Sequence, residues 1–220
     1  MSTITDVPLS VQKYRKELAD KVPAWYSAQG NYMITVLISF PLVIYALLKI
    51  KNIEMLDLAI VPVFIFFASG FEYFAHRYLL HHRVRFFQKP FVEHTLKHHR
   101  YFTSEAIEVE TSKDFSRVFF PVWGVFMIQY GGTLPLSLAF GQILSPNAGF
   151  LTLITGAIFF FMYETIHMIC HLPKNNLIFK IPGLLFLREH HRLHHDQKLM
   201  SKKNFNIVIP IWDFLMRTRA

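Results

Sequence analysis

Twelve histidines are the residues of this 220-residue chain most able to do chemistry. They fall into four clusters: His76, His81 and His82; His94, His98 and His99; His167 and His171; and His190, His191, His194 and His195. Neutral imidazole is a good ligand for iron, zinc and copper. On an α-helix, residues three or four apart share a face. His94 with His98, His167 with His171, and His191 with His194 and His195 can therefore each aim their rings at one centre. His76 and His81 are five apart, which demands a helix end or a bend between them. Structural zinc takes four ligands, usually with thiolate among them, and a hydrolytic zinc takes three plus water. Roughly ten imidazoles exceed both needs; two ions with four or five imidazoles each, and room for dioxygen, fit the count.

Other readings of the same residues predict different patterns. A headgroup-binding patch or a pH sensor would scatter its histidines rather than cluster them at ligand spacing. No HExxH motif is present, so a zincin-type protease lacks its signature. The single cysteine, Cys170, offers neither a disulfide nor a CxxC knuckle. It reads as a small core residue.

The elements that must position these rings are apolar. The chain is 52% hydrophobic, with 23 phenylalanines, a composition typical of membrane proteins. Four apolar segments approach the roughly 20 residues needed to cross a bilayer. They run from about Tyr32 to Leu48, Leu56 to Ala75, Phe119 to Leu144 and Gly149 to Cys170. The third carries Gly131, Gly132 and Pro135, which predict a kink or a division into two helices. If all four cross, 21 lysines and arginines lie on one side and two, Lys49 and Lys51, on the other. That asymmetry puts the N-terminus, the middle loop and the C-terminus in the cytosol, together with every histidine. The net charge of +8 is then a positive-inside signature, and nucleic acid is not an expected partner. The polar start lacks the apolar core of a signal peptide. The expected fold is all-α, an integral-membrane four-span helical bundle with a cytosolic histidine-rich cap. Residues 1–31 form a cytosolic N-terminal segment and residues 32–220 the membrane-embedded domain.

The order H-x4-H (His76, His81), H-x3-H-H (His94, His98, His99), H-x3-H (His167, His171) and H-x2-H-H (His191, His194, His195) resembles the fatty acid hydroxylase and sterol desaturase superfamily. The tail from Asn204 to Thr218, NFNIVIPIWDFLMRT, is similar to that superfamily's C-terminal signature. The resemblance covers roughly Leu56 to Thr218. It implies an oxygen-dependent membrane oxidoreductase with two non-haem iron ions and O2 as co-substrate. The implied ligands are His76, His81, His94, His98, His99, His167, His171, His191, His194 and His195. His82 and His190 are extra positions, and His190 could replace His191. No catalytic residue beyond the metal ligands is implied.

Twelve residues separate His81 from His94, a shorter gap than in the membrane acyl-CoA desaturases, which favours hydroxylation. No HPGG haem-binding motif is present, so electrons are expected from a separate carrier, either cytochrome b5-like or a ferredoxin with its reductase. The first substrate expectation is an acyl chain or acyl-containing lipid. Carotenoid or sterol hydroxylation or desaturation is the second, and a non-catalytic membrane metal-binding protein is the third. A bacterial inner membrane and the endoplasmic reticulum both suit a cytosolic active face.

Carboxylates close to the clusters complete the expectations. Glu72 and Glu164 lie near spans, where an unpaired charge is costly, and are candidates to orient ring N–H groups. Glu93, Glu189 and Asp196 sit in basic, solvated sequence and are expected to form surface ion pairs. The stretch from Asn176 to His191 is apolar but broken by Pro182 and Gly183, consistent with an interfacial segment or a plain connection.

Overall fold

The computed structural model describes residues 7–220, and among them the chain forms helices and no strand. Three helices are long and apolar enough to cross a membrane: Ala28–Lys49, Met55–Leu80 and Pro146–Cys170, of 22, 26 and 25 residues. At about 1.5 Å per residue each exceeds the roughly 30 Å of a hydrocarbon core. The expected fourth span differs. The chain is helical over Val122–Ile128 and Leu134–Ile143, with a π-helical stretch, Gln129–Thr133, between them. Gly131 and Gly132 lie in that stretch and Pro135 just after it, where the missing N–H and the flexible backbone favour a wider turn. Gln129 donates to Ser39 Oγ (2.8 Å) and to the Ala157 carbonyl (3.4 Å), which places a polar side chain where a uniform span would carry an apolar one.

The described residues divide into two compact units. One comprises Gln29–Gly70 and Phe120–Thr165. Its core includes Leu42, Val43, Ala46, Leu153 and Ala157. Helices meet closely at Gly149: a Cβ there would lie 2.7 Å from both the Ser137 carbonyl oxygen and the Gly141 Cα. Small residues are what allow such an approach in a membrane bundle. Gly149→Ala is therefore expected to cost about 1–3 kcal/mol by overpacking. Thermal unfolding in detergent reads this, and a parental melting temperature would contradict it.

The other unit comprises the residues up to Ala28, Phe71–Phe119 and Ile166–Ala220, and it contains every histidine. The helix Leu9–Ala19 is tied to it by Arg15, which is buried and donates to the carbonyls of Tyr101 (2.9 Å) and Ala106 and to Glu110 (2.7 Å). Around that anchor Leu18, Tyr101, Phe102 and Val118 form a core. The stretch after Asn176 resolves into a short 3-10 turn, Leu177–Lys180, and the helix Leu184–His194. Gly183 supplies the left-handed break between them at φ 89°, which a side chain would resist. That helix buries Arg188, His190, His191 and His194 and leaves Leu185 and Phe186 exposed.

Candidate metal centre

Two π-helical turns bring the first six histidines together. His76 lies in Ala75–Leu80 with His81 directly after it, and His94 and His98 lie in Val92–His98 with His99 next. In a π-turn the backbone bonds from i to i+5, so residues five apart approach one face. That is how His76 and His81 meet without the helix ending between them. His94 and His99 are related in the same way, with their Nε2 atoms 3.1 Å apart.

The result is two groups of buried imidazoles. His76, His81, His94, His99 and His194 offer ligand nitrogens within 4.8 Å of one another, and so do His98, His171, His191 and His195. The pairings expected from α-helical spacing change accordingly. His94 and His98, four apart, go to different groups. His194 joins the first group while His191 and His195 join the second. His167 belongs to neither set, although its ring lies 4.9 Å from that of His98, 5.0 Å from that of His171 and 4.8 Å from that of His191. Of the two alternatives His190 and His191, it is His191 that faces the group. His190 Nε2 is turned to Asp213, 3.2 Å away. His82 is exposed and donates from Nδ1 to the Arg77 carbonyl (2.8 Å).

The hydrogen bonds fix which nitrogens are bare. A carbonyl oxygen can only accept, so a ring nitrogen bonded to one carries the proton. Nδ1 donates to a carbonyl in His76 (Phe205), His98 (Arg117, 2.7 Å), His171 (Ile107, 2.8 Å), His194 (Lys203, 2.8 Å) and His195 (Phe102, 2.6 Å). His81 reaches the same state through Thr95. The Thr95 hydroxyl gives its proton to the Leu80 carbonyl (2.6 Å) and so accepts from His81 Nδ1 (3.1 Å). In the neutral forms of these rings Nε2 is a lone pair. Yet His81 and His194 set those lone pairs 3.0 Å apart in the first group, and His98 and His195 set theirs 3.2 Å apart in the second.

Two acceptors at such distances repel unless a cation lies between them. A proton is a poor choice. Burial, with the neighbouring histidines adding to it, pushes His81 down to about 2, and burial pushes His98 down to about 4. His194 and His195 are likewise held well below the usual histidine range, chiefly by burial. A metal ion answers the same need without charging a ring, and the donor set fits one in each group. The closest Nε2 pairs here are 2.9, 3.0 and 3.1 Å in the first group and 3.0, 3.1 and 3.2 Å in the second.

The groups that orient the rings are not the expected carboxylates. Glu72 accepts from the amides of Ile207 and Val208 (3.2 Å) and from Asn206 Nδ2 (3.2 Å), so it holds the C-terminal segment rather than an imidazole. Glu164 accepts from the Phe120 amide (3.2 Å) and from Thr35 Oγ1 (3.5 Å). The carboxylate that does meet an imidazole is Asp213, through His190. Burial alone would raise its pKa, but bonds from His190, the Asn206 and Phe205 amides and Thr218 outweigh that and hold it below the usual range. These bonds clamp the segment that presents the Lys203 and Phe205 carbonyls to His194 and His76. The tail signature is thus a buried polar knot behind the first group. Glu93 pairs with Lys97 (2.6 Å) and Glu189 with Arg192 (2.7 Å) and the buried Arg188 (2.9 Å), whereas Asp196 accepts the Lys198 amide (2.7 Å) in place of the expected ion pair. Cys170 is buried and lies in neither group.

Asp213→Ala is expected to leave the amides of Phe205 and Asn206 and the Thr218 hydroxyl without their acceptor. Each buried orphan costs about 1–3 kcal/mol. Metal affinity of the first group should fall about 10–100-fold, as when other ligand-orienting residues are lost, while the second group keeps its ion. Metal titration of the purified variant checks this, and equal losses at both groups would contradict it.

A family model described as fatty acid hydroxylase matches residues 61–218, which contain every histidine and the tail. The chain belongs to the fatty acid hydroxylase family. This places it in the fatty acid hydroxylase and sterol desaturase superfamily, a family of membrane enzymes, and makes it an oxidoreductase. No curated protein and no solved structure matches the chain. The match takes in the helix Met55–Leu80 from Val61 onwards, the helix Pro146–Cys170 and the two imidazole groups. Sequence spacing did not reveal Thr95 or the five carbonyls that set the tautomers of this fatty acid hydroxylase family member. A carbonyl has no residue type to betray it, and Asp213 was visible only as part of the tail signature.

Proposed function

We propose that the chain is a membrane-bound diiron oxygenase that hydroxylates a C–H bond of a lipid, the acyl chain being the first substrate class. The observation that carries this reading is the facing of bare Nε2 atoms across each of two buried groups. One iron ion would be held by His76, His81, His94, His99 and His194, and a second by His98, His171, His191 and His195, with His167 beside it. Family membership supports iron. So does the donor set, since imidazole suits iron and no thiolate lies in either group.

An unactivated C–H bond offers nothing for an acid or base to polarise, so the bound metal supplies redox activation of dioxygen. One oxygen atom enters the C–H bond, and the other leaves as water with two electrons and two protons. The chain's own part is orientation and exclusion of water. Carbonyls hold the Nδ1 protons of His76, His98, His171, His194 and His195, Thr95 fixes His81, and burial keeps the rings neutral and available. The electrons would come from a separate carrier, either cytochrome b5-like or a ferredoxin with its reductase. The charge asymmetry supports a four-crossing arrangement in which the helical path through Val122–Ile143 is the fourth crossing and both termini are cytosolic.

The experiment is lipid mass spectrometry of cells expressing the chain under 18O2, with metal analysis of the purified protein. One labelled oxygen in a lipid and close to two irons per chain would establish the reading and name the lipid class. Loss of two hydrogens without label would make it a desaturase. Oxygenation of a sterol or carotenoid would move the substrate class, and stoichiometric zinc with no lipid product would overturn the oxygenase.

A further inference from the structure

The segment His82–Phe87, just beyond His81 and the helix Met55–Leu80, gives no residue to either imidazole group, and its composition is unusual. His82, Arg83, Arg85, Phe86 and Phe87 are all exposed, Phe86 at 89% and Phe87 at 50%. No acid occurs between Glu72 and Glu93. Phe86 sits at φ 70°, a left-handed conformation that a bulky side chain adopts only at a cost. That strain presents an apolar ring outward, where water alone gives no return for it. The Arg85 guanidinium lies 4.9 Å from the Phe86 ring, so charge and ring are displayed together.

A second observation says what covers this loop. Phe71, Phe74 and Tyr78 are exposed at spacings of three and four, an aromatic stripe along the same helix. The stripe runs into the loop: Phe74 stacks on Tyr78 (6.3 Å between centroids), and Tyr78 meets His82 (6.1 Å). A helix long and apolar enough to cross a membrane turns such a face to lipid. Phe86 is six residues beyond the helix end, so the backbone allows it no more than about 20 Å from that end. Aromatic rings and basic side chains are what the headgroup layer of a bilayer retains.

We propose that the loop from His82 to Phe87 is a membrane-interface anchor that binds anionic phospholipid headgroups. Phe86 and Phe87 insert at the boundary between headgroups and acyl chains, and Arg83, Arg85 and His82 take the phosphates. An acidic protein partner would be recognised by the charges but would not call for two exposed phenylalanines in continuity with a lipid-facing stripe. The proposal is independent of the metal and of the reaction.

The test uses the full chain in lipid nanodiscs, either phosphatidylcholine alone or phosphatidylcholine with phosphatidylglycerol. A Phe86→Cys variant is labelled with an environment-sensitive fluorophore; the one native thiol, Cys170, is buried and stays unlabelled. Blue-shifted emission, quenching by brominated acyl chains and protection from aqueous iodide are expected. These should be stronger with the anionic lipid and lose that dependence in Arg83→Glu/Arg85→Glu. Each basic side chain contributes roughly fivefold in partitioning to an anionic surface. Arg83→Gln/Arg85→Gln provides a milder variant, and both must keep the parental elution profile. A probe equally open to iodide in both bilayers overturns the anchor. Insertion that is the same in both bilayers and in both variants overturns headgroup recognition. Protection that arises only when an acidic electron-carrier protein is added assigns the loop to a protein partner instead.

Discussion

His194→Ala is expected to strip the ion from the five-histidine group and to lower lipid oxidation by at least about 100-fold, since losing a residue that merely orients a ligand already costs about 10–100-fold. His194 is fully buried, with Nε2 3.0 Å from that of His81 and Nδ1 held by the Lys203 carbonyl at 2.8 Å. Alanine removes one donor and leaves a void that no neighbouring side chain fills with nitrogen. His191→Ala is expected to do the same to the second group, because His191 Nε2 lies 3.1 Å from that of His171 and 3.0 Å from that of His195. Two controls share the sequence signal but not the geometry. His82→Ala should keep both ions and parental activity, since the ring is exposed and bonded to a carbonyl outside the groups. His190→Ala should keep both ions but lose stability, because Asp213 loses its buried partner. Metal content per chain, measured beside the oxygenated product, reads all four. Full metal occupancy in His194→Ala, or metal loss in His82→Ala, would sink the assignment.

Acid should unfold the metal-free protein far sooner than its fold class suggests. His81 is pushed down to about 2 and His98 to about 4, in each case chiefly by burial, from an ordinary value near 6.5. His94, His99, His171, His191, His194 and His195 are lowered in the same direction, again chiefly by burial. The folded state therefore resists protons that the unfolded chain accepts from about pH 6.5 downwards. Stability is full above that pH and is lost as the pH falls toward 4. Each such ring contributes about 1.4 kcal/mol per pH unit, so three or four together rival a typical domain's whole stability of about 5–15 kcal/mol. Bound metal opposes the loss, because it competes with protons for the same Nε2 atoms and binds the folded form. Melting temperature against pH, for metal-free and metal-loaded protein in detergent, shows the effect. A metal-free profile that stays flat from pH 6.5 to 4 would refute it, as would metal that fails to move the midpoint downward.

Much of this protein is legible in the residues alone. Long apolar runs specify membrane-crossing helices, because a bilayer leaves the backbone no other way to satisfy itself there. The four histidine clusters announce a metal site, since buried imidazoles at close spacing have few other uses. The tail signature and the order of the clusters carry the family resemblance.

What spacing could not say was how the rings are shared out. The rule of three and four holds for an α-helix, and it joined His94 to His98 and grouped His191, His194 and His195. Two π-turns shift that register by one residue, so His94 meets His99 and His76 meets His81. A change in helical pitch leaves no clear mark on residue type. The choice between His190 and His191, and the replacement of Glu72 by backbone carbonyls as the orienting groups, also depended on contacts between segments distant in sequence. Phe205 lies 129 positions from His76 and Arg117 lies 19 from His98, and their carbonyls are common to every residue. Sequence determined which side chains could hold a metal, because that depends on chemistry carried by residue type. Tertiary structure decided which atoms bind together and which way each ring faces, because that depends on backbone path and on hydrogen bonds that any residue could offer.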